Sequence, residues 1–138
     1  MAHPFPSEGW LNAFEEVLNS DERYAKVAAK WEGDFMFVIE PDKGSSEPEL
    51  RYYMDLWHGK CRKAYVVEPD VQDAPEPAFT LRATRGQFVK VLKGEVDPMQ
   101  AMLTRRLRVE GSMAYMLRNV PTVLDFVRCA REVTTEIL

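Results

Sequence analysis

Apolar residues recur at helical spacing near the start of the chain. Trp10, Phe14, Val17 and Leu18 follow Ser7, a residue type suited to capping, and predict a first helix. Asn19-Ser20-Asp21-Glu22 then offers a new cap with acids in the first turn, predicting a second short helix through Tyr24, Val27, Ala28 and Trp31. Gly33-Asp34 ends it. Phe35 to Glu40 is aromatic and β-branched, as expected of a strand apolar on both faces, and such a strand must be covered on both sides.

The Pro-, Gly- and Ser-rich stretch from Pro41 to Pro48 predicts a loop, and Arg51 to Trp57 a second strand. After a turn at His58-Gly59-Lys60, a third strand is expected over Lys63 to Val67. A proline-rich loop then leads to a fourth over Phe79 to Thr84, where Phe79, Leu81 and Ala83 share one face. Thr84-Arg85-Gly86-Gln87 has capping-box spacing, with Phe88, Val91 and Leu92 as the buried stripe and Gly94 as terminator.

Asp97-Pro98 supplies a cap and a first-turn proline for a short helix carrying Met99, Met102 and Leu103. Leu107-Arg108-Val109 reads as a fifth strand, ended by Gly111. Ser112 caps a helix with Met113, Met116 and Leu117, and the last helix starts at Asn119-Val120-Pro121 and runs to Ile137 with Phe126 on its apolar face. The order of elements predicts one α+β domain over residues 1–138, a five-stranded, mainly antiparallel sheet covered by helices.

Composition changes this picture little. Hydrophobic residues make up 46% and charged residues 29% of the 138, a globular balance with room for one core. The net charge of −4 is unevenly spread. Residues 1–50 hold eleven acidic and four basic side chains, residues 82–108 seven basic and two acidic. Bases spread over such a stretch form a solvated face more often than a binding site, and with an acidic net charge and no base-reading motif, nucleic acid is not an expected partner.

No apolar run reaches the ~20 residues of a membrane-spanning helix. Met1 to Trp10 has no secretory pattern, so the expected compartment is the reducing cytoplasm, with Cys61 and Cys129 as free thiols.

Catalytic chemistry has few carriers. Only two histidines are present, and His3 lies in a terminus expected to fray, so no metal cluster and no serine triad can be assembled without His58. His58 with Cys61, oriented by Asp55, is the one candidate catalytic group, spread across a predicted turn. The glycines stand singly at element ends instead of forming a phosphate cradle, and no cofactor is expected. The remaining signal is methionine: Met99, Met102, Met113 and Met116 fall on two short helices flanking one strand. They suit either an adaptable apolar pocket or an irregular core.

The run Lys93 to Met102, with its Asp97-Pro98 helix start, followed by the basic alternating strand Leu107 to Glu110 and Gly111-Ser112-Met113, resembles the C-terminal signature of the sterol carrier protein 2 family. Trp31-Glu32-Gly33-Asp34 before an aromatic strand, Phe79 opening a later strand and Phe88 in the next helix fall in the family's order, so the resemblance runs from about Trp10 to the C-terminus. It implies a hydrophobic tunnel between sheet and helices for a sterol, fatty acid or fatty acyl-CoA, and a non-catalytic lipid-binding or lipid-transfer protein. Within the region so marked, the expected wall residues are Phe35, Phe37, Tyr53, Phe88, Met99, Met102, Leu103, Met113, Met116, Leu117 and Phe126, with Arg105, Arg106 and Arg108 meeting a headgroup or coenzyme A phosphate.

Transient contact with a membrane surface and a homodimer are further expectations, and a regulatory or dimerisation module beside an enzyme is the alternative role. Peroxisomal relatives end in a Ser-Lys-Leu-like tripeptide, whereas Glu136-Ile137-Leu138 stands here, so peroxisomal import is not expected.

Overall fold

The computed structural model describes residues 3–137. Chain entry is a two-residue strand, β1 (Pro4–Phe5), after which the Ser7 hydroxyl accepts from the Trp10 amide at 3.1 Å and starts α1 (Glu8–Ser20). Asp21 ends α1 and caps α2 (Glu22–Val27) by accepting from the Tyr24 amide at 2.8 Å. The second helix is shorter than its spacing predicts. Sheet hydrogen bonds claim the chain beyond it: His58 N–H donates to the Trp31 carbonyl at 2.7 Å and Gly33 N–H to the Leu56 carbonyl at 3.2 Å, so Trp31 lies outside the helix.

Five strands form one sheet: β2 (Phe35–Glu40), β3 (Leu50–Trp57), β4 (Lys60–Val66), β5 (Phe79–Thr84) and β6 (Arg108–Glu110), in the order β4-β3-β2-β5-β6. Three of the pairings are antiparallel and the central β2–β5 pairing is parallel, which makes the sheet mixed. The third strand begins at Lys60, earlier than the expected Lys63. His58 and Gly59 take positive φ values of 49° and 80°, a two-residue turn whose twist suits a hairpin, and pairing therefore resumes at once.

Alternation places Phe35, Phe37 and Ile39 of β2, and Tyr52, Met54 and Leu56 of β3, on the face covered by helices. Met36, Val38 and Tyr53 take the other face with Val67 and Ala74, so the loop between β4 and β5 supplies the second cover that an all-apolar strand requires. Asp34 fastens that loop, accepting at 2.7 Å from both the Tyr53 hydroxyl and the Ala78 amide.

The helical layer continues with α3 (Arg85–Leu92), α4 (Pro98–Leu103), α5 (Met113–Arg118) and α6 (Val120–Val133). Thr84, Asp97 and Ser112 cap α3, α4 and α5 through their side chains, as their local signals predict. Leu107, expected in the fifth strand, precedes it, is buried, and donates its amide to the Ala101 carbonyl at 3.0 Å.

The last helix stops at Val133 instead of reaching Ile137. Thr134 Oγ1 accepts from the Trp10 indole N–H at 2.8 Å, and the chain then turns into β7 (Glu136–Ile137), parallel to β1. His3 is accordingly fastened, its amide donating to Thr135 Oγ1 at 2.8 Å, and does not mark a frayed segment. No helix among the described residues is long and apolar enough to cross a membrane.

Candidate functional site

Between the inner sheet face and the helices lies a cavity of about 80 Å³. The sheet contributes Phe35, Phe37, Ile39, Tyr52, Leu56 and Leu81. Opposite them, α6 contributes Val123, Phe126, Val127 and Ala130, positions spaced three and four apart that one helix face necessarily presents together. Trp10 and Phe14 of α1, Phe88 of α3 and Met102 of α4 close the sides, and Phe5 of β1 closes one end against Trp10 and Phe88.

The wall is apolar. Its indole N–H groups are committed, Trp10 to Thr134 and Trp31 to the Gly33 carbonyl at 2.9 Å, and Thr122 donates its hydroxyl to the Val27 carbonyl at 3.1 Å. Tyr24 and Tyr52 line the cavity as well, and the surface the wall presents is almost wholly carbon. Burial pushes the Tyr52 phenol up to about 12 and raises Tyr24 further, so both are protonated donors at neutral pH.

A water needs about 10–15 Å³ of such space, so the cavity has room for roughly five to eight water-sized groups. A long acyl chain needs more, and the wall must yield to admit it. Much of that wall is aromatic: Phe126 packs against Phe14, Phe35 and Phe37 with centroids 4.8, 6.0 and 5.9 Å away.

Of the residues expected on the wall, Phe35, Phe37, Phe88, Met102 and Phe126 lie on this cavity. Tyr53 does not. It lies on the opposite sheet face, because the register pairs Phe37 with Tyr52, and a one-residue slip in reading β3 exchanges the two faces. Leu103 and Leu117 are 64% and 48% exposed on the outer sides of α4 and α5. Met116 is buried in the core away from the cavity, and Met99 and Met113 pack at the core's margin, so most of this methionine set serves as packing.

Arg108 is held by Glu40, while Arg105 and Arg106 are exposed. Sequence reading missed Phe5, Trp10, Phe14, Tyr52 and Leu81 as cavity residues. The alternation of Tyr52, Met54 and Leu56 carried the signal for Tyr52, whereas Phe5 is placed by contacts with the far end of the chain.

The residues proposed for catalysis do not converge. His58 Nε2 meets Glu32 at 2.5 Å, Asp55 receives two hydrogen bonds from Arg62 at 3.0 and 3.1 Å, and the buried Cys61 thiol points to the Lys63 carbonyl at 3.3 Å. Burial pushes that thiol up to about 12, the opposite of an activated nucleophile. Asp21, Asp125 and Cys129 lie close together, but Arg128 donates to both carboxylates, at 2.7 Å to Asp21 and 2.8 Å to Asp125.

Comparison with known proteins agrees with this architecture. Residues 11–123 match the model of the SCP-2 sterol transfer family. A crystal structure of sterol carrier protein 2 shares 32% identity and a TM-score of 0.82, covering 93% of this chain and 98% of its own. The solution structure of a conserved hypothetical protein from Thermus thermophilus shares 30% identity and a TM-score of 0.81, with 96% and 92% covered. At 15% identity and a TM-score of 0.55, the palmitate complex of sterol carrier protein 2 from Aedes aegypti shares the fold, over 87% of this chain and 92% of its own. No curated protein sequence matches the chain. The chain belongs to the SCP-2 sterol transfer family, which places it among lipid-binding and lipid-transfer proteins.

Proposed function

We propose that this protein is a non-catalytic carrier that encloses one lipid, a fatty acid, fatty acyl ester or sterol, in the cavity between its sheet and α6 and releases it reversibly. The observation that carries the reading is the cavity wall, an apolar surface between the sheet and α6 with no reactive constellation on it. About fifteen buried methylenes at ~0.8 kcal/mol each contribute about 12 kcal/mol gross. Subtracting about 4–6 kcal/mol for association and ordering leaves dissociation constants of roughly 1–50 μM, a range suited to delivery. The palmitate bound by the Aedes aegypti protein of the same fold is consistent with this ligand class.

Loading requires a surface at which lipid is met. Leu103 is exposed beside Arg105 and Arg106 at the end of α4, whose Met102 lies on the cavity wall, and we assign transient contact with anionic membrane surfaces or headgroups to this corner. Two buried, unpaired cysteines, Cys61 and Cys129, suit the cytoplasm.

The test is native mass spectrometry of the purified protein, solvent extraction of any bound small molecule, and titration with a fluorescent fatty acid. A stoichiometric lipid, or saturable uptake at micromolar concentration, is the expected result. A protein that is empty and takes up no probe at tens of micromolar, while its mass rises with concentration, would favour a dimerising accessory module instead.

A further inference from the structure

β4 is an outer strand of the sheet, with β3 on one side and no strand on the other. The register fixes which backbone groups face the open side. Val67, just beyond the strand, donates its amide to the Arg51 carbonyl at 2.8 Å and so faces β3; alternation then turns Val66 away from β3, Tyr65 towards it and Ala64 away again. Nearer the hairpin the phase changes at the bulge opposite Asp55 and Leu56, and Cys61 faces outward. Its two backbone groups are taken. The Asn19 side chain, from the last turn of α1, donates to the Cys61 carbonyl and accepts from the Cys61 amide, both at 2.8 Å. Among the described residues, the outward amides and carbonyls of Ala64 and Val66 have no such partner.

The free edge is therefore short and symmetric about Tyr65. A second copy of the segment, laid antiparallel about a twofold axis at Tyr65, matches Ala64 of each chain to Val66 of the other in two doubly hydrogen-bonded pairs. Charge follows the same symmetry. Lys60, Arg62 and Lys63 precede Tyr65 and Glu68 and Asp70 follow it, all five exposed. Antiparallel pairing sets the basic half of one copy beside the acidic half of the other, whereas a parallel arrangement sets like against like. Arg62 is already engaged by Asp55 at 3.0 Å, but Lys63, Glu68 and Asp70 form no ion pair among the described residues. The Tyr65 ring, 41% exposed and 5.1 Å from that of Tyr53, would meet its own copy at the centre, a residue type that interfaces favour there.

We propose that two copies of this chain pair through β4, antiparallel about Tyr65, and join their five-stranded sheets into one continuous sheet. The Asn19 clamp on Cys61 sets where the pairing stops. An unrelated extended peptide would meet the same backbone groups, but the palindromic order of charge favours a second copy. β4 contributes no residue to the cavity, so pairing and lipid uptake are separate properties.

The experiment is sedimentation equilibrium of the whole chain at low salt, up to about 1 mM. An interface this small predicts a mass rising from one chain towards two with a dissociation constant on the order of 100 μM. Lys63→Glu and Glu68→Lys should each weaken pairing about fivefold or more, and an equimolar mixture of the two should pair about as well as wild type, because each chain then meets its opposite charge. Ala64→Pro removes an amide that has no partner within the chain and should abolish pairing. The charge variants, at exposed positions, keep the test independent of how well proline is tolerated. All of these variants should take up a fluorescent fatty acid as wild type does, since none of the three positions lines the cavity.

A wild type that stays monomeric to about 1 mM overturns the proposal and leaves the edge to a different extended partner. A dimer that all three variants leave intact overturns it too, as does a mixture of the charge variants that pairs no better than either alone.

Discussion

The ring of Phe126 on α6 lies parallel to that of Phe37 on β2, with centroids 5.9 Å apart and an interplanar angle of 7°. Phe35 stacks on Phe37 in turn, at 5.4 Å and 10°, so a short column of rings forms part of the cavity wall. Closed-state stability and ligand capacity therefore oppose each other at Phe126: the atoms that hold sheet and helix together occupy space that a lipid tail needs.

Replacing Phe126 with alanine should separate these roles. Loss of a core phenylalanine costs about 3 kcal/mol in the empty protein, while the enlarged cavity should bind palmitate at least as tightly as before. Thermal unfolding with and without palmitate checks both, the expectation being a lower empty midpoint and a larger ligand-induced rise than in wild type.

Trp10 and Thr134 join the first long helix to the end of the last by a 2.8 Å hydrogen bond beside Phe5. Thr134→Val leaves the indole N–H without its acceptor and should cost about 1–2 kcal/mol, a fall of roughly 3–8 °C in the unfolding midpoint. Thr134→Ser, which restores the hydroxyl, should lose much less.

Arg128 holds Asp125, which is 4% exposed, together with Asp21. Arg128→Met should destabilise by roughly 3 kcal/mol, because a buried carboxylate is left with only the exposed Arg23 at 3.2 Å. Asp125→Asn in the same background should recover part of the loss by removing the unpaired charge. Chemical denaturation of the single and double variants measures the recovery.

Alkaline titration should weaken the fold. Burial raises Cys61 and Cys129 from 9.0 to about 12 and Tyr52 from 10.0 to about 12. A raised folded-state value means that the unfolded chain gives up its protons first. The corresponding stability is full below about pH 9 and is lost as pH rises toward 12. Denaturation midpoints from pH 7 to 11 should stay level and then fall, and Cys61 should resist alkylation at pH 8 until the protein unfolds.

Local chemistry was legible in the sequence. Ser7, Thr84, Asp97 and Ser112 each announce a helix start, because a cap depends on residues two or three positions away, and all four caps form. The alternation of Phe79, Leu81 and Ala83 likewise fixes their shared face. What escaped depends on distant chain. The β1–β7 pair joins residues 132 apart, Phe5 with Ile137, and has no local pattern. Tyr52 and Tyr53 are adjacent and chemically alike, so only pairing with Phe37 decides which one reaches the cavity. Helical spacing marked the methionines as apolar without distinguishing Met102, on the wall, from Met116, in the packed core.

The most direct test of the carrier account is a nuclear magnetic resonance titration of the labelled protein with palmitate. The account predicts saturation at one ligand per chain, with the largest shifts at Phe37, Met102 and Phe126 and little change at Trp57 and Tyr65 outside the cavity. No saturable shifts, or shifts confined to the outer sheet face, would contradict it.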